Sequence, residues 1–351
     1  MSTFRRGRVS LVALVLVAGA LGVAACGDGE DGPTTPDPQT FTFGPFVLAP
    51  GEESYGDCVS APLGNTEPIY VNAVDLVTGS GFHHSNWFWV PETTFPGPDG
   101  VWNCDSRAYD EVVAGGAGGV LFAQSTQAVT ERQAFAPGVV IPIPAHAKIV
   151  SGIHMLNAGD EPLTTRLELT VTPIAPDEVT TKLATMALQY RPLALPPRRK
   201  SSVTIECDVG DLHQIVIGTP IDYEVFYSFP HYHTLGRGYD LVASGGPGPD
   251  VTIASSSASV GEPLGEVLDP PFSLEGYTKL RFTCHFDNTT DRTVRWGLSA
   301  GEMCVWQGFT NSIYKWGGTT NGAATSTVVD DGEVVRFTHP CDLYGFPIVD
   351  P

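Results

Sequence analysis

Short stretches of alternating apolar and polar residues run along most of the chain, and helical periodicity is hard to find. They include RLELTVTPI, IDYEVFYSF and KLRFTCHF, each of which places every second side chain on one face of a strand. Gly, Pro, Asn and Asp separate these stretches at the spacing typical of sandwich strands. The 39 glycines and 29 prolines also favour many turns and few helices. The pattern therefore predicts an all-β fold.

The first 40 residues do not follow this pattern. Three arginines precede an apolar run at 11–23, which is typical of an export signal and too short for a membrane span. The run ends in VAAC, which resembles a bacterial lipobox. This predicts a signal peptide at 1–25 and a lipid anchor on Cys26; the alternative is an ordinary cleaved signal with a chance cysteine. Residues 26–40 are acidic and rich in Pro and Gly, which predicts a tether.

The remaining chain, about 310 residues, is long enough for two domains. The best break is QYRPLALPPRRKSS at 189–202, which is Pro-rich and basic. We interpret it as a linker, which predicts one sandwich domain at 41–188 and a second at 203–351.

The net charge of −20 argues against nucleic acid and against an anionic membrane surface as partners. Membrane attachment is expected through the lipid alone, in the bacterial cell envelope. Gly27, rather than Asp, follows Cys26 and favours the outer membrane or cell surface over the inner membrane. Six further cysteines in an exported protein predict three disulfides, but 15 pairings are open to them.

Two histidines, His83 and His84, stand side by side in an apolar, aromatic segment. Neighbours in a regular strand face opposite sides, so one ring would be buried and the other exposed. They share one metal only if the strand is bulged, which Gly79 and Gly81 permit.

A second motif places His231 and His233 two residues apart, on one face of a strand, where both reach one metal. Met303 stands beside Cys304, and its thioether is a soft ligand that favours copper over zinc. An incidental HxH and an ordinary core methionine are the alternatives.

The pair at 83–84 needs a third ligand within its own domain, and the choice there is between His146 and His154. His154 lies in a strand-like run and His146 in a turn after PIPA. We therefore favour His154.

The order HH, H, HxH and EMC resembles the copper type II, ascorbate-dependent monooxygenases, the family of peptidylglycine alpha-hydroxylating and dopamine beta-monooxygenases. The resemblance covers roughly residues 45–345 and is close in TCHFDNTTDRTVRWGLSAGEMC. It implies two coppers per chain, with all six ligand positions filled. The electron-transfer copper would be bound by His83, His84 and His154. The oxygen-activating copper would be bound by the catalytic residues His231, His233 and Met303.

The resemblance also implies the disulfides Cys58–Cys104, Cys284–Cys304 and Cys207–Cys341. It implies two antiparallel jelly-roll-like β-sandwich domains in tandem, with the coppers facing each other across a solvent cleft. The implied reaction is hydroxylation of a C–H bond of a small-molecule substrate by O2, with electrons from an external one-electron donor such as ascorbate.

Four positions depart from the peptide-hydroxylating members. Phe229 replaces an Arg that holds the substrate carboxylate, Val305 and Gln307 replace Asn and Tyr, and Gly152 replaces a Gln. These changes argue against a C-terminal glycine peptide as substrate. Phe229, Val305 and Trp306 favour a more apolar pocket.

The leading hypothesis is a copper-dependent monooxygenase. A catalytically silent copper-binding or copper-buffering envelope lipoprotein is the alternative, and a sandwich module that binds zinc or no metal is a third. His213, His285 and His339 have no ligand-like partners in the sequence, and we interpret them as structural or surface residues.

Overall fold

Alternating burial runs along the strands of the computed structural model, which describes residues 35–258, 260–297 and 300–348. In Lys279–Asn288, for example, every second side chain is buried and those between are partly exposed. This period of two matches a strand with one face on a core. The fold is all-β and sandwich-like, as the alternation predicts.

Eleven strands form the first sandwich. They are β1 (Gln39–Leu48), β2 (Glu53–Pro62), β3 (Ile69–Thr78), β4 (Phe82–Pro91), β5 (Gly100–Asn103), β6 (Gly119–Ala123), β7 (Thr130–Ala134), β8 (Val139–Ile143), β9 (Ala147–Leu156), β10 (Leu163–Ile174) and β11 (Thr181–Lys182). One sheet has the order β5-β2-β9-β4-β6, and the other has the order β1-β10-β3-β8-β11 with β7 also on β3. Buried apolar side chains from both sheets, such as Leu76 and Trp87, form the core between them.

Thirteen strands form the second sandwich. They are β12 (Ala184–Gln189), β13 (Ala194–Leu195), β14 (Arg199–Asp208), β15 (Glu224–His231), β16 (Gly236–Ser244), β17 (Val251–Ser256), β18 (Glu266–Ser273), β19 (Lys279–Asn288), β20 (Val294–Arg295), β21 (Val305–Thr310), β22 (Tyr314–Thr320), β23 (Thr327–Asp330) and β24 (Val334–Pro347). Eleven of them make a continuous sheet in the order β17-β16-β19-β14-β24-β22-β12-β21-β15-β18, with β23 on β24, while β13 pairs with β20.

The long strand β24 connects the two layers of the second sandwich. Its first half pairs with β14 in parallel, and its second half, from Cys341, pairs with β22 antiparallel. The Cys207–Cys341 disulfide joins β14 to β24 where the strand changes partners. Most strand pairs are antiparallel, but β8–β11, β12–β22 and β14–β24 are parallel, so the predicted antiparallel arrangement needs this correction.

The structure moves the predicted boundaries. β12 pairs with β21 and β22 of the second sandwich, although the sequence predicts residues up to 188 in the first domain. The predicted linker 189–202 ends inside β14, so only residues 190–198 connect β12 to β14. The reason is that Met186 and Leu188 are buried in the second core. The predicted tether 26–40 likewise reaches into β1, which begins at Gln39, while Cys26 lies outside the described residues.

Helices are few. In the part of the chain that the structure describes they are α1 (Glu111–Ala117), α2 (Val209–Val216) and two 3-10 turns, Cys104–Arg107 and Pro176–Glu178. Asp110 caps α1 and Asp208 caps α2 through their side chains.

The two sandwiches pack closely against each other. Tyr227, Phe229 and Phe309 of the second sandwich belong to the core cluster of the first. The Lys315 ammonium donates hydrogen bonds to the carbonyls of Gly115, Gly116 and Gly118 at the end of α1. The described residues accordingly form one compact unit.

Three disulfides are present, and they are the pairs that the resemblance implies: Cys58–Cys104, Cys207–Cys341 and Cys284–Cys304. Disulfides persist in oxidising compartments, which indicates an extracellular or envelope protein. Among the described residues, the structure contains no helix that is long and apolar enough to cross a membrane.

Candidate metal centre

The adjacent histidines His83 and His84 lie in β4, in the interior of the five-stranded sheet. His84 is in register with His154 of the neighbouring strand β9, and this register shifts between Phe82 and His84. A bulge at this point leaves one extra residue in β4, so that neighbouring side chains need not face opposite ways. Both rings are buried, and the arrangement with one buried and one exposed histidine does not occur.

His83, His84 and His154 form the first triad. Their ring centroids lie 4.5–5.4 Å apart, with His83 and His154 the nearest pair at 4.5 Å. One nitrogen of each ring lies within 4.8 Å of the others. His154, rather than His146, completes the triad; His146 is exposed in a turn with a left-handed backbone.

His231 and His233 converge through a loop rather than through strand alternation. His231 ends β15, and His233 lies beyond the strand. The Glu302 carboxylate fixes this loop because it accepts hydrogen bonds from the N–H groups of His233 (2.8 Å) and Leu235 (2.6 Å). The ring centroids of His231 and His233 are 5.2 Å apart.

The two histidine groups meet at the interface between the sandwiches. The ring centroids of His84 and His231 are 4.8 Å apart, and those of His83 and His233 are 5.4 Å apart. His84, His231 and His233 thus form a second triad, again with ligand nitrogens within 4.8 Å of one another. The solvent cleft that the resemblance implies is closed here, because all five rings are buried against each other.

The imidazole nitrogens of the cluster are largely without protein partners. Seven buried nitrogens have none among the described residues: Nδ1 of His83, His84, His154 and His231, and Nε2 of His84, His231 and His233. A buried polar atom without a partner costs about 1–3 kcal/mol, so native proteins rarely leave several together. Metal ions are the partners that such a set of nitrogen donors fits.

Two hydrogen bonds orient rings of the cluster. Nε2 of His154 lies 2.8 Å from Oε1 of Glu53, and Nδ1 of His233 lies 3.1 Å from the Gly301 carbonyl. If each of these nitrogens carries the ring proton, the lone pair is left on Nδ1 of His154 and Nε2 of His233. Such outer contacts are the usual way in which proteins fix the tautomer of a metal-binding histidine.

Burial keeps the cluster neutral. It lowers the pKa of His83 to about 4, with the neighbouring His154 and His233 lowering it further and Glu53 opposing. The pKa values of His84 and His231 are held well below the ordinary value, and those of His154 and His233 are also lowered, in each case mainly by desolvation. Neutral imidazole is the form that binds metal.

Copper binding should therefore resist acid. From pH 7 to 5 we expect the apparent affinity for the first Cu(II) ion to fall less than about ten-fold, whereas three imidazoles of ordinary pKa would together lose more than about 1,000-fold to protons. Competition titration against a chelator of known pH dependence at pH 7, 6 and 5 checks this. A steep loss already at pH 6 would contradict it.

The backbone at Met303 is held close to His231 and the His233 loop by its neighbours in the chain. Glu302 on one side bonds the His233 loop, and Cys304 on the other is tied to β19 by the disulfide with Cys284. Val305, two residues on, pairs with His231. Met303 is partly buried, and its N–H donates to the Glu302 carboxylate.

Glu53 should act mainly on the first triad. Replacement of Glu53 by alanine removes the acceptor at Nε2 of His154, and we expect copper affinity at this triad to fall about 10–100-fold. Because Glu53 accepts from His154 directly and reaches His233 only through its charge, copper affinity at His231 and His233 should fall much less. Calorimetric titration with Cu(II) should resolve this as one strongly weakened phase and one phase that changes little; two unchanged phases would contradict it.

The predicted apolar pocket is not formed. Phe229 is buried in the core of the first sandwich, and Trp306 is buried in the core of the second, where its indole N–H donates to Ser228. They separate because Trp306 is in register with Pro230, one position from Phe229, and alternate positions face opposite sides.

Gly152, two residues before His154, has a local explanation. A Cβ at this position would lie 3.0 Å from the ring of Tyr109, and the Gly152 N–H donates to the Tyr109 hydroxyl at 3.1 Å. Tyr109 thus fills the space that a longer side chain at position 152 would need.

The other histidines bond elsewhere. His213 and His339 contact the backbone carbonyls of Thr219 and Pro340. His285 lies between Ser202 and Asp240 on the outer face of β14, β16 and β19. None of the three belongs to either triad.

Sequence reasoning missed two carboxylates at this centre, Glu53 and Glu302. Burial raises the pKa of Glu302 to about 7, against the opposing effect of the backbone N–H groups of Leu235, His233 and Met303. Its position directly before Met303, in EMC, was an available signal. Glu53 carries no such signal, since it lies 101 residues from His154.

Comparisons with known proteins leave the family open. No protein-family model matches the chain, and no curated protein matches it. Among solved structures, the PBSX exported protein XepA aligns with 77% of this chain and 86% of its own, at 7% identity and a TM-score of 0.21. The VP16-VP17 complex of the major capsid proteins of bacteriophage P23-77 aligns with 78% of this chain and 97% of its own, at 8% identity and a TM-score of 0.12.

Proposed function

We propose that this protein is a copper-dependent monooxygenase that hydroxylates a C–H bond of an organic substrate with O2 and a one-electron donor such as ascorbate. The observation that carries the proposal is the cluster of five buried histidines in two triads, seven of whose nitrogens have no protein partner in the described part of the chain. A cluster of this kind has no role in packing, because each unpartnered nitrogen opposes folding.

Copper is favoured over zinc by the donor set. The triads contain imidazoles only, and Met303 adds a thioether, which suits Cu(I) and is foreign to ordinary zinc sites. His83, His84 and His154 would hold one copper, and His231, His233 and Met303 the other. Bound copper would supply one-electron chemistry and O2 activation.

The chain's own residues prepare that centre. Glu53 and the Gly301 carbonyl orient the rings of His154 and His233. Burial keeps the imidazoles neutral and excludes bulk water. Glu302 holds the His233 loop next to Met303. We further propose attachment to the cell envelope by a lipid on Cys26.

The test is copper content and oxygen uptake on the chain without its export signal. We expect two coppers per chain by elemental analysis and ascorbate-driven O2 consumption that disappears when copper is chelated and returns when copper is restored. A chain that binds zinc or no metal under the same conditions would refute the proposal.

A second candidate is a copper-buffering protein without turnover. The observation in its favour is that all five histidines are buried, with His83 and His84 only 7% and 8% exposed, which restricts access for a substrate. Two bound coppers without oxygen uptake, across a panel of apolar and polar substrates, would support this candidate instead.

A further inference from the structure

His84 differs from most of the other cluster histidines in how its two nitrogens are used. His154 and His233 each give one nitrogen to a protein acceptor. Both nitrogens of His84, like those of His231, are buried and have no protein partner among the described residues. His84 is also the only residue that belongs to both triads.

The position of the ring explains this double membership. On one side, His154 of the neighbouring strand lies at 5.2 Å between ring centroids. Towards the other sandwich, His231 lies at 4.8 Å and at a steep interplanar angle of 67°. Nδ1 and Nε2 lie on different edges of an imidazole, so one ring can offer a lone pair to each group.

We infer that His84 bridges two copper ions, one nitrogen to each, as an imidazolate. The inference rests on the proposed copper function and gives that site a specific form: one coupled dicopper centre instead of two separate ions. A neutral imidazole carries one N–H and one lone pair, so the ring must release its N–H proton to solvent when the second Cu(II) binds. No electron is transferred in this step.

A short segment, 124–127, holds the two histidine groups in this arrangement; we call it the bridging segment. Towards the first sandwich, the N–H of Gln127 donates to the carbonyl of His83 at 2.6 Å, and the N–H of Gln124 donates to the carbonyl of Ser85 at 2.9 Å. These two bonds bracket His84 in β4.

Towards the second sandwich, the bridging segment reaches the residue between His231 and His233. The Thr126 hydroxyl donates to the carbonyl of Tyr232 at 2.9 Å. The Thr126 carbonyl accepts from Gly261, and the Ser125 hydroxyl accepts from Leu264, both at 2.8 Å. Since Glu131 in turn bonds Ser125, these contacts form a buried network across the interface. The close approach of His84 and His231 is therefore supported by contacts outside the cluster.

The experiment is electron paramagnetic resonance of the Cu(II)-loaded chain at liquid-helium temperature, with copper counted by elemental analysis. At one copper per chain, the integrated spin should equal the copper content. At two, the integrated spin should fall below half of the copper content at this temperature, and a half-field signal should appear on warming, when the triplet state of the coupled pair is populated. Zinc in place of the second copper should restore the full spin of the first, because Zn²⁺ is diamagnetic.

Two variants complete the test. His84→Ala should abolish the spin coupling, so that all bound copper is counted as isolated spins. His146→Ala removes an exposed histidine outside the cluster and should behave as the parent. The zinc comparison uses the parent alone and decides whether the two coppers are coupled, even if the His84 variant does not fold.

The outcomes distinguish failure of the His84 bridge from failure of the proposed monooxygenase function. Two coppers whose spins are fully counted, without a half-field signal, would overturn the bridge and leave the monooxygenase proposal standing. Coupling that survives in folded His84→Ala would overturn His84 as the bridge. A chain that binds no copper would overturn the bridge and the proposed function together.

Discussion

Replacement of Met303 by alanine is expected to abolish ascorbate-driven oxygen uptake while the first triad keeps its copper. In the proposed centre the thioether of Met303 would be the soft ligand that favours Cu(I), and alanine offers no lone pair. Loss of an outer contact to a metal ligand typically costs about 10–100-fold, and loss of the ligand itself should cost at least about 100-fold. The measurement is the initial rate of copper-dependent O2 consumption, together with copper per chain.

The control is Met303→Leu, which keeps the volume and apolar character of the side chain and removes only the sulphur. The backbone on either side is fixed by the Glu302 hydrogen bonds and the Cys284–Cys304 disulfide, so both variants should fold as the parent does. If the leucine variant consumed oxygen at the parent rate, the thioether would have no role and the case for copper would rest on histidine alone.

The fold class follows from sequence because a period of two is a local signal. Strands such as β10, whose buried residues alternate with exposed or intermediate ones from Thr165 onward, show it directly. The bulge at His83 can also be predicted from the sequence, because glycines mark it and a regular strand would separate the two rings. The pairing of the six cysteines cannot be predicted from local patterns, and only the resemblance implies it.

The closed interface could not be predicted from local patterns. It depends on small polar residues such as Ser125 and Thr126, which have no periodicity, and on bonds such as that from Thr126 to Tyr232, across 106 residues of chain. The resemblance implies an open cleft, and an open cleft does not predict that two triads share His84. The predicted domain of β12 is wrong for a related reason. Its apolar and polar residues alternate in the same way whether the strand packs on the first core or on the second.

Replacement of Glu302 by alanine should be the most destabilising single change at the centre. Its carboxylate is buried and accepts from the N–H groups of His233 and Leu235, which alanine would leave without their acceptor. Each such donor costs about 1–3 kcal/mol, so we expect the free energy of unfolding to fall by about 2–5 kcal/mol. Release of the His233 loop should also lower copper affinity at the site of His231, His233 and Met303 at least about ten-fold.

The measurement is urea unfolding of the metal-free chain at pH 6, where Glu302, with its pKa raised to about 7, is mostly uncharged. The comparison then reports hydrogen bonds rather than a buried charge. The matched control is Glu206→Ala, which removes a carboxylate from a part-exposed ion pair with Lys279 and should cost less than about 1 kcal/mol. Glu302→Gln keeps one carbonyl acceptor and should fall between the two. Equal unfolding midpoints for the two alanine variants would show that Glu302 does not hold the His233 loop.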